Sequence, residues 1–306
     1  MNFAQLKYLV SLHKLKHFGK AAKENFVTQP TLSMMIKKLE DELNVEIFDR
    51  SSNPIKTTTL GLKIIDQATK ILNEHKQLIN LAESEIDSFE GELSIAFIPT
   101  LAPYVLPLIL PVIQREFPKL SLSIIEKNTD EIINEITANK LDLAILATPL
   151  LNSDIVENHL YQEAFYLYTS ENRNIDIIAP SDIDMEKLIL LEEGHCLRTQ
   201  VLNLCQFKSE QNINTFYKIG SIETIINLVN QNQGSTIIPE LAIHHLAENE
   251  RKRVIKMKAP VPVRQISLVH HYTYHKKKLV ERLVQLIDDT ITPYLNSYQT
   301  SKIIPI

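Results

Sequence analysis

The 306-residue chain has only two cysteines and six glycines. Two cysteines exclude a disulfide-stapled scaffold and fit a reducing compartment. So few glycines leave no phosphate-binding loop, and no serine nucleophile elbow is visible, so no enzyme is expected. Neither charge sign dominates: 32 Lys and Arg against 37 Asp and Glu give a net charge of −5. That excludes a histone-like basic tail, and an apolar fraction of 44% excludes disorder. The most apolar stretch, residues 101–113, carries prolines and is too short to span a bilayer. The opening MNFAQLKYLV has no basic segment followed by an apolar one, so no signal peptide is expected. A cytoplasmic protein with no membrane partner is expected. The ten histidines include His244, His245, His270, His271 and His275. Adjacent residues of a strand face opposite sides, so these pairs make no ready chelate, and neither metal nor cofactor is expected.

What charge there is lies unevenly. Residues 1–63 hold 10 Lys and Arg and 6 Asp and Glu, net +4, against 22 and 31, net −9, in residues 64–306. A basic head on an acidic body fits a nucleic-acid contact made by the head, though asymmetry alone does not establish one. The head reads as helices. Phe3, Leu6, Leu9 and Val10 share one face, and residues 20–25 form a short second helix. Thr28 can cap a third helix with Pro30 in its first turn and Leu32, Ile36, Leu39 and Leu43 inward. Short helix, tight turn and capped helix follow the helix-turn-helix plan. Residues 47–50 and 54–58 can pair as a wing.

From Thr59 a helical pattern runs on. Ile65, Ala68, Leu72, His75, Ile79, Ala82, Ile86 and Phe89 alternate steps of three and four, a seam that favours self-association over packing on the chain's own body. Gly91 ends it. Beyond, the pattern alternates. Strands are expected at 93–98, 120–125, 141–147, 165–169, 188–191, 216–219, 235–238 and 266–270. Helices are expected at 104–117, 129–139, 196–207, 222–231 and 277–294. Two α/β lobes would enclose a cleft, and the tail after Gln299 is expected to fray.

The cysteines admit two readings. Free Cys is commonly a buried small hydrophobe. Cys196, however, follows Gly194 and His195 where a helix can begin, with Arg198 nearby, and cations or a helix N-terminus favour a thiolate. Glu192 and Glu193 act the other way. Cys205, among Leu202, Leu204 and Phe207, reads as buried. Thr100 ends the first strand of the body, where α/β sheets bind ligands, or it caps the next helix. Thr129 can likewise cap a helix starting at Asp130, and Arg264 alone reads as a surface ion pair.

The segment F-x-x-A-A-x-x-x-x-V-T-Q-P-T-L-S-x-x-I-K-K-L-E-x-E-L-x-V-x-I-F-D-R, with T-T-L-G after it, resembles the LysR-type transcriptional regulators over nearly all of residues 1–65. The resemblance implies an α/β protein with an N-terminal winged helix-turn-helix (1–58), a dimerising linker helix (59–90) and a regulatory domain (91–306). The last is two-lobed like the periplasmic binding proteins, with lobe I at 91–160 and 266–306 and lobe II at 161–265. Ile98-Pro99-Thr100, Pro118-Lys119-Leu120, Lys140-Leu141-Asp142 and Glu193-Gly194-His195-Cys196-Leu197-Arg198 with Cys205 are similar to the family's peroxide-sensing branch. That similarity implies that hydrogen peroxide oxidises Cys196, that Cys205 resolves the product as a disulfide, and that Thr100, Thr129, His195 and Arg264 form the peroxide pocket. Thr199 stands where that branch usually has Asp. Gln29, Thr31, Ser33, Met34 and Lys37, with Arg50 and Lys56 on the wing, are the expected contacts to double-stranded DNA. RNA polymerase and a homodimer or homotetramer are the other partners implied. The alternative is a LysR-type regulator that binds a small organic effector between its lobes, its cysteines incidental.

Overall fold

The computed structural model describes residues 1–52, 54–83, 89–171, 175–205 and 219–306, with backbone only at 76–77 and 79–83. The chain divides into two compact units, Met1–Ile86 and Asp87–Ile306.

The first unit holds α1 (Phe3–Leu15), α2 (Phe18–Glu24), α3 (Gln29–Leu43), a ribbon of β1 (Phe48–Asp49) and β2 (Lys56–Thr57), and α4 (Thr59–Glu83). Thr28 caps α3 as expected, its side chain accepting from the Thr31 amide. Leu32, Ile36 and Leu39 are fully buried with Leu6, Leu9 and Leu12 of α1, while Leu43 is exposed. Along the helical seam Ile65 and Ala68 are buried in the core of this unit, Leu72 packs against it, and the His75 ring lies 4.0 Å from that of Phe3. Ile65 and Ala68 are thus taken up by this unit's own core, while Leu72 and His75 stay partly exposed. The seam's Ile79, Ala82 and Ile86 lie outside the described side chains.

The second unit begins with β3 (Gly91–Phe97), α5 (Ala102–Glu116), β4 (Leu120–Glu126), α6 (Thr129–Thr137) and β5 (Leu143–Thr148). It continues with β6 (Ile155–Thr169), β7 (Ile177–Ile178), α7 (Cys196–Leu204), α8 (Ile222–Asn230) and β8 (Ser235–Pro239). It ends with α9 (Glu240–Ile243), α10 (Glu248–Arg251), β9 (Val254–Met257), β10 (Val261–His271), α11 (Lys277–Ile291) and β11 (Ser301–Ile303). The strands are ordered β4-β3-β5-β10-β6-β9-β7, with β8 also on β6 and β11 on β10. The strands β4, β3 and β5 are parallel to one another, and β6 and β10, antiparallel to each other, continue the same sheet. The register of β6 and β10 shifts between Ile266 and Ser267.

Most helices fall where periodicity places them, within two or three residues. The long strands do not. Glu157, Asn158, His159, Gln162 and Glu163 break the apolar run of β6, so only its end was legible. Pro262 masks the start of β10, and it is tolerated because the β6 pairing begins only at Val263. Residues 188–191 are buried but form no strand, making a single bridge from Leu188 to Ser235. The strand expected at 216–219 lies almost entirely outside the described residues.

The tail is the clearest correction. β5 pairs β10 only from Gln265 onward, which leaves the Val261–Val263 edge open on that side, and Ser301–Ile303 fills it as a parallel strand. The open edge supplies partners for backbone groups that a frayed tail would leave to water.

Candidate functional site

Two helix starts and one strand meet at Cys196. Gly194 takes φ +93°, a conformation that favours glycine, and turns the chain into α7, with His195 at the N-cap and Cys196 in the first turn. Facing it is the start of α6. There the expected cap is corrected: Asn128, not Thr129, caps this helix, in a reciprocal pair with Glu131. The Thr129 hydroxyl is thereby released from capping. It is buried, has no hydrogen-bond partner among the described residues, and lies close enough to the Cys196 thiol to favour its thiolate. Thr100 is not a cap either, because α5 starts from Leu101 without a side-chain cap.

Arg264 is fully buried, so the surface ion pair expected from the residue alone is wrong. Its Nε and Nη2 donate to Glu163 Oε2 at 2.8 and 2.7 Å. Nη1 donates to Thr100 Oγ1 at 3.1 Å, and Nη2 to the Thr100 carbonyl at 3.2 Å. Glu163 Oε1 also accepts from the Leu241 amide at 2.8 Å. Because Thr100 Oγ1 accepts from Arg264, it keeps its own proton to donate.

Burial pushes the Cys196 thiol above its usual range; the Arg264 charge, the Thr129 hydroxyl and the amides of Leu197 and Cys196 pull the other way. Burial lowers the His195 pKa, with Glu192, its Oε1 4.0 Å away, acting in opposition. Thr199 is exposed. Cys205 stands at the other end of α7 as its C-cap, half-buried, its thiol pushed up to about 11 by burial. The cysteines are both free. Thr100, Thr129, Arg264 and Cys196 thus come together, His195 adjoins them, and Cys205 stands apart.

Sequence reasoning missed Glu163. A carboxylate in the buried half of β6 is the signal that was there, since such a charge needs a partner. In the first unit, Met34 is exposed on α3 and Gln29 stands at its start, with Thr31 and Ser33 half-covered. Lys37 pairs with Asp41 at 2.9 Å. Arg50 reaches the buried Glu40 at 2.8 Å and lies 5.7 Å from the Phe18 ring centre. Lys56 is exposed on β2. No helix among the described residues is long and apolar enough to cross a membrane.

Residues 3–62 match the bacterial regulatory helix-turn-helix proteins of the lysR family, and residues 87–291 the LysR substrate binding domain. The hydrogen peroxide-inducible genes activator of Pectobacterium carotovorum subsp. carotovorum is 36% identical over 97% of this chain and 98% of its own length. The DNA-binding transcriptional dual regulator OxyR of Escherichia coli K12 is 36% identical over 94% of this chain and 95% of its own. Among solved structures, a full-length OxyR cysteine variant from Pseudomonas aeruginosa superposes with a TM-score of 0.77 at 32% identity, covering 94% of this chain and 98% of that one. Two matched domains in this order, and relatives aligned nearly end to end, establish the family: the chain belongs to the LysR-type transcriptional regulators and resembles their OxyR branch.

Proposed function

We propose that the chain is a peroxide-responsive transcriptional regulator of oxidative-stress genes whose signal is a disulfide between Cys196 and Cys205. The observation that carries this reading is the cluster at Cys196: the buried Thr129 hydroxyl is set against the thiol, and Arg264 beside it holds the Thr100 hydroxyl. Hydrogen peroxide both donates and accepts, and the hydroxyls of Thr100 and Thr129 match it.

Cys196, as thiolate, attacks one peroxide oxygen. The O–O bond breaks, a sulfenic acid forms, and the departing hydroxide takes up a proton to become water. Arg264 stabilises both the thiolate and the departing oxygen. Cys205 then attacks the sulfenic sulfur; the S–S bond forms, the S–O bond breaks, and a second water leaves. Two thiols are oxidised and one peroxide is reduced.

The first unit carries this state to double-stranded DNA. Gln29, Thr31, Ser33 and Met34 address base edges or backbone, while Lys37, Lys56 and Arg50 face phosphate. The boundaries 1–58, 59–90 and 91–306 separate reading head, linker and sensor. A homodimer or homotetramer places two heads on one operator, RNA polymerase is the downstream partner, and the cytoplasm supplies the reducing background that resets the pair.

Dimedone labelling tests the assignment. After one equivalent of peroxide, Cys205→Ser accumulates a labelled sulfenic acid on Cys196, and Cys196→Ser stays reduced. Oxidation of Cys196→Ser with no sulfenate in Cys205→Ser reverses the roles.

A further inference from the structure

Helix α7 is fastened at its middle by the end of the chain. Beyond β11, the Ile304 amide donates to the Val263 carbonyl at 2.9 Å, and Ile304 is 4% exposed. The Ile304 carbonyl accepts from Gln200 Nε2 at 2.9 Å, and the Pro305 carbonyl from Asn203 Nδ2 at 3.2 Å. Gln200 and Asn203 both lie between the two cysteines. Val263, which holds Ile304, precedes the Arg264 that faces Cys196. At the far end of α7, Cys205, Asn203 and Leu204 line a cavity of about 320 Å³ whose other walls include Lys302 and Ile304. The end of the helix that carries Cys205 therefore borders open space, while its middle is tied to the tail.

We infer that residues 301–306 are a latch that holds α7 in its reduced form and is released when the disulfide forms. The inference rests on the Cys196–Cys205 reading above. Nine residues of helix put the two Cα atoms about 13.5 Å apart along the axis. A disulfide tolerates only about 4.4–6.8 Å. Closing that gap unwinds the segment that carries Gln200 and Asn203, and both bonds to the tail end with it. What remains is three residues of edge pairing and the Ile304 amide on Val263, a short edge that frays once α7 no longer backs it. Gln200 and Asn203 are thus positioning residues. Their bonds exist in the thiol form alone, so they bias the pair against oxidation, and losing them makes the disulfide easier to form.

Gln200→Met separates this role from general stability. Methionine keeps the bulk and removes the donor to Ile304. It also removes the buried Gln200 Oε1, which has no partner among the described residues, and this offsets part of the cost of leaving the Ile304 carbonyl without its donor; urea unfolding of the reduced protein measures the balance. The full-length wild type, Gln200→Met, Asn203→Ala and a chain ending at Thr300 are equilibrated in dithiothreitol redox buffers. Each variant is expected to favour the disulfide roughly ten-fold more than wild type, a midpoint about 30 mV more negative. Hydrogen exchange on the wild type supplies a readout that needs no variant: the amides of Lys302 and Ile304, which face β10, are protected when reduced and exchange freely once the mass confirms the disulfide. A disulfide that forms while those amides stay protected overturns the latch and leaves the redox reading intact, as does an unchanged equilibrium in Gln200→Met. Failure of peroxide to form any disulfide overturns both.

Discussion

Arg264 and Glu163 stand directly opposite each other on β10 and β6, both fully buried, with Nη2 2.7 Å from Oε2. The arginine beside Cys196 does not make that cysteine a standing thiolate, because burial of the thiol outweighs the Arg264 charge. Glu163 is the counter-charge that the same guanidinium holds. Glu163→Gln is expected to lower the Cys196 pKa and speed its alkylation by iodoacetamide near neutral pH. It also costs about 3–5 kcal/mol of stability, because a buried guanidinium loses its counter-charge. The pH profile of alkylation in a Cys205→Ser background, with urea unfolding alongside, measures both. An unchanged profile removes Glu163 from the tuning of the thiol.

Cys205 sets a second pH dependence. Its folded-state pKa is pushed from 9.0 to about 11. A thiol whose pKa rises on folding contributes stability that is present below the unfolded value and lost as pH climbs through the folded one. The urea midpoint of the reduced protein should therefore fall between about pH 9 and 11, and fall less in Cys205→Ser. Equal losses in the two proteins contradict the burial of this thiol.

The two basic residues of the wing should behave differently. Lys56→Ala is expected to weaken binding to promoter and random duplexes alike and to flatten the salt dependence by about one ion, with no change in melting. Arg50→Ala should lower melting as well, since Arg50 is tied to Glu40, which also accepts from the amides of Ile47 and Phe48. Salt-titrated binding and thermal unfolding of the two variants decide it.

The seam makes a matching contrast. Leu72→Asp should destabilise the first unit, because Leu72 packs on that unit's own core. Leu78, 67% exposed on α4, is free to meet another copy. Leu78→Asp should lower self-association in sedimentation while leaving melting unchanged. Dissociation by Leu72→Asp without loss of melting temperature would reverse this reading.

The sequence disclosed the local elements and hid the long-range ones. Thr28 before Pro30 and an apolar face is a short-range signal, and α3 lies where it points. The cap of α6 was misjudged because Asn128 and Thr129 are both competent caps, and only the reciprocal bond from Glu131 decides between them. The ion pair at the site joins residues 101 positions apart, so Arg264 and Glu163 each looked unremarkable alone. The tail was misread because its three strand residues are exposed and their partner is an edge left open by β5, which no pattern in residues 299–306 reveals. Cys196 and Cys205 were singled out by the family resemblance, not by any local pattern, and the structure places them at opposite ends of α7.

The most direct test is intact mass with thiol counting before and after one equivalent of hydrogen peroxide. The account predicts a reduced chain with two labelled thiols, and an oxidised chain two hydrogens lighter with none. Peptide mapping should then place the single bridge between Cys196 and Cys205. An unchanged mass, or an oxygen adduct on Cys196 with Cys205 still free to label, contradicts it.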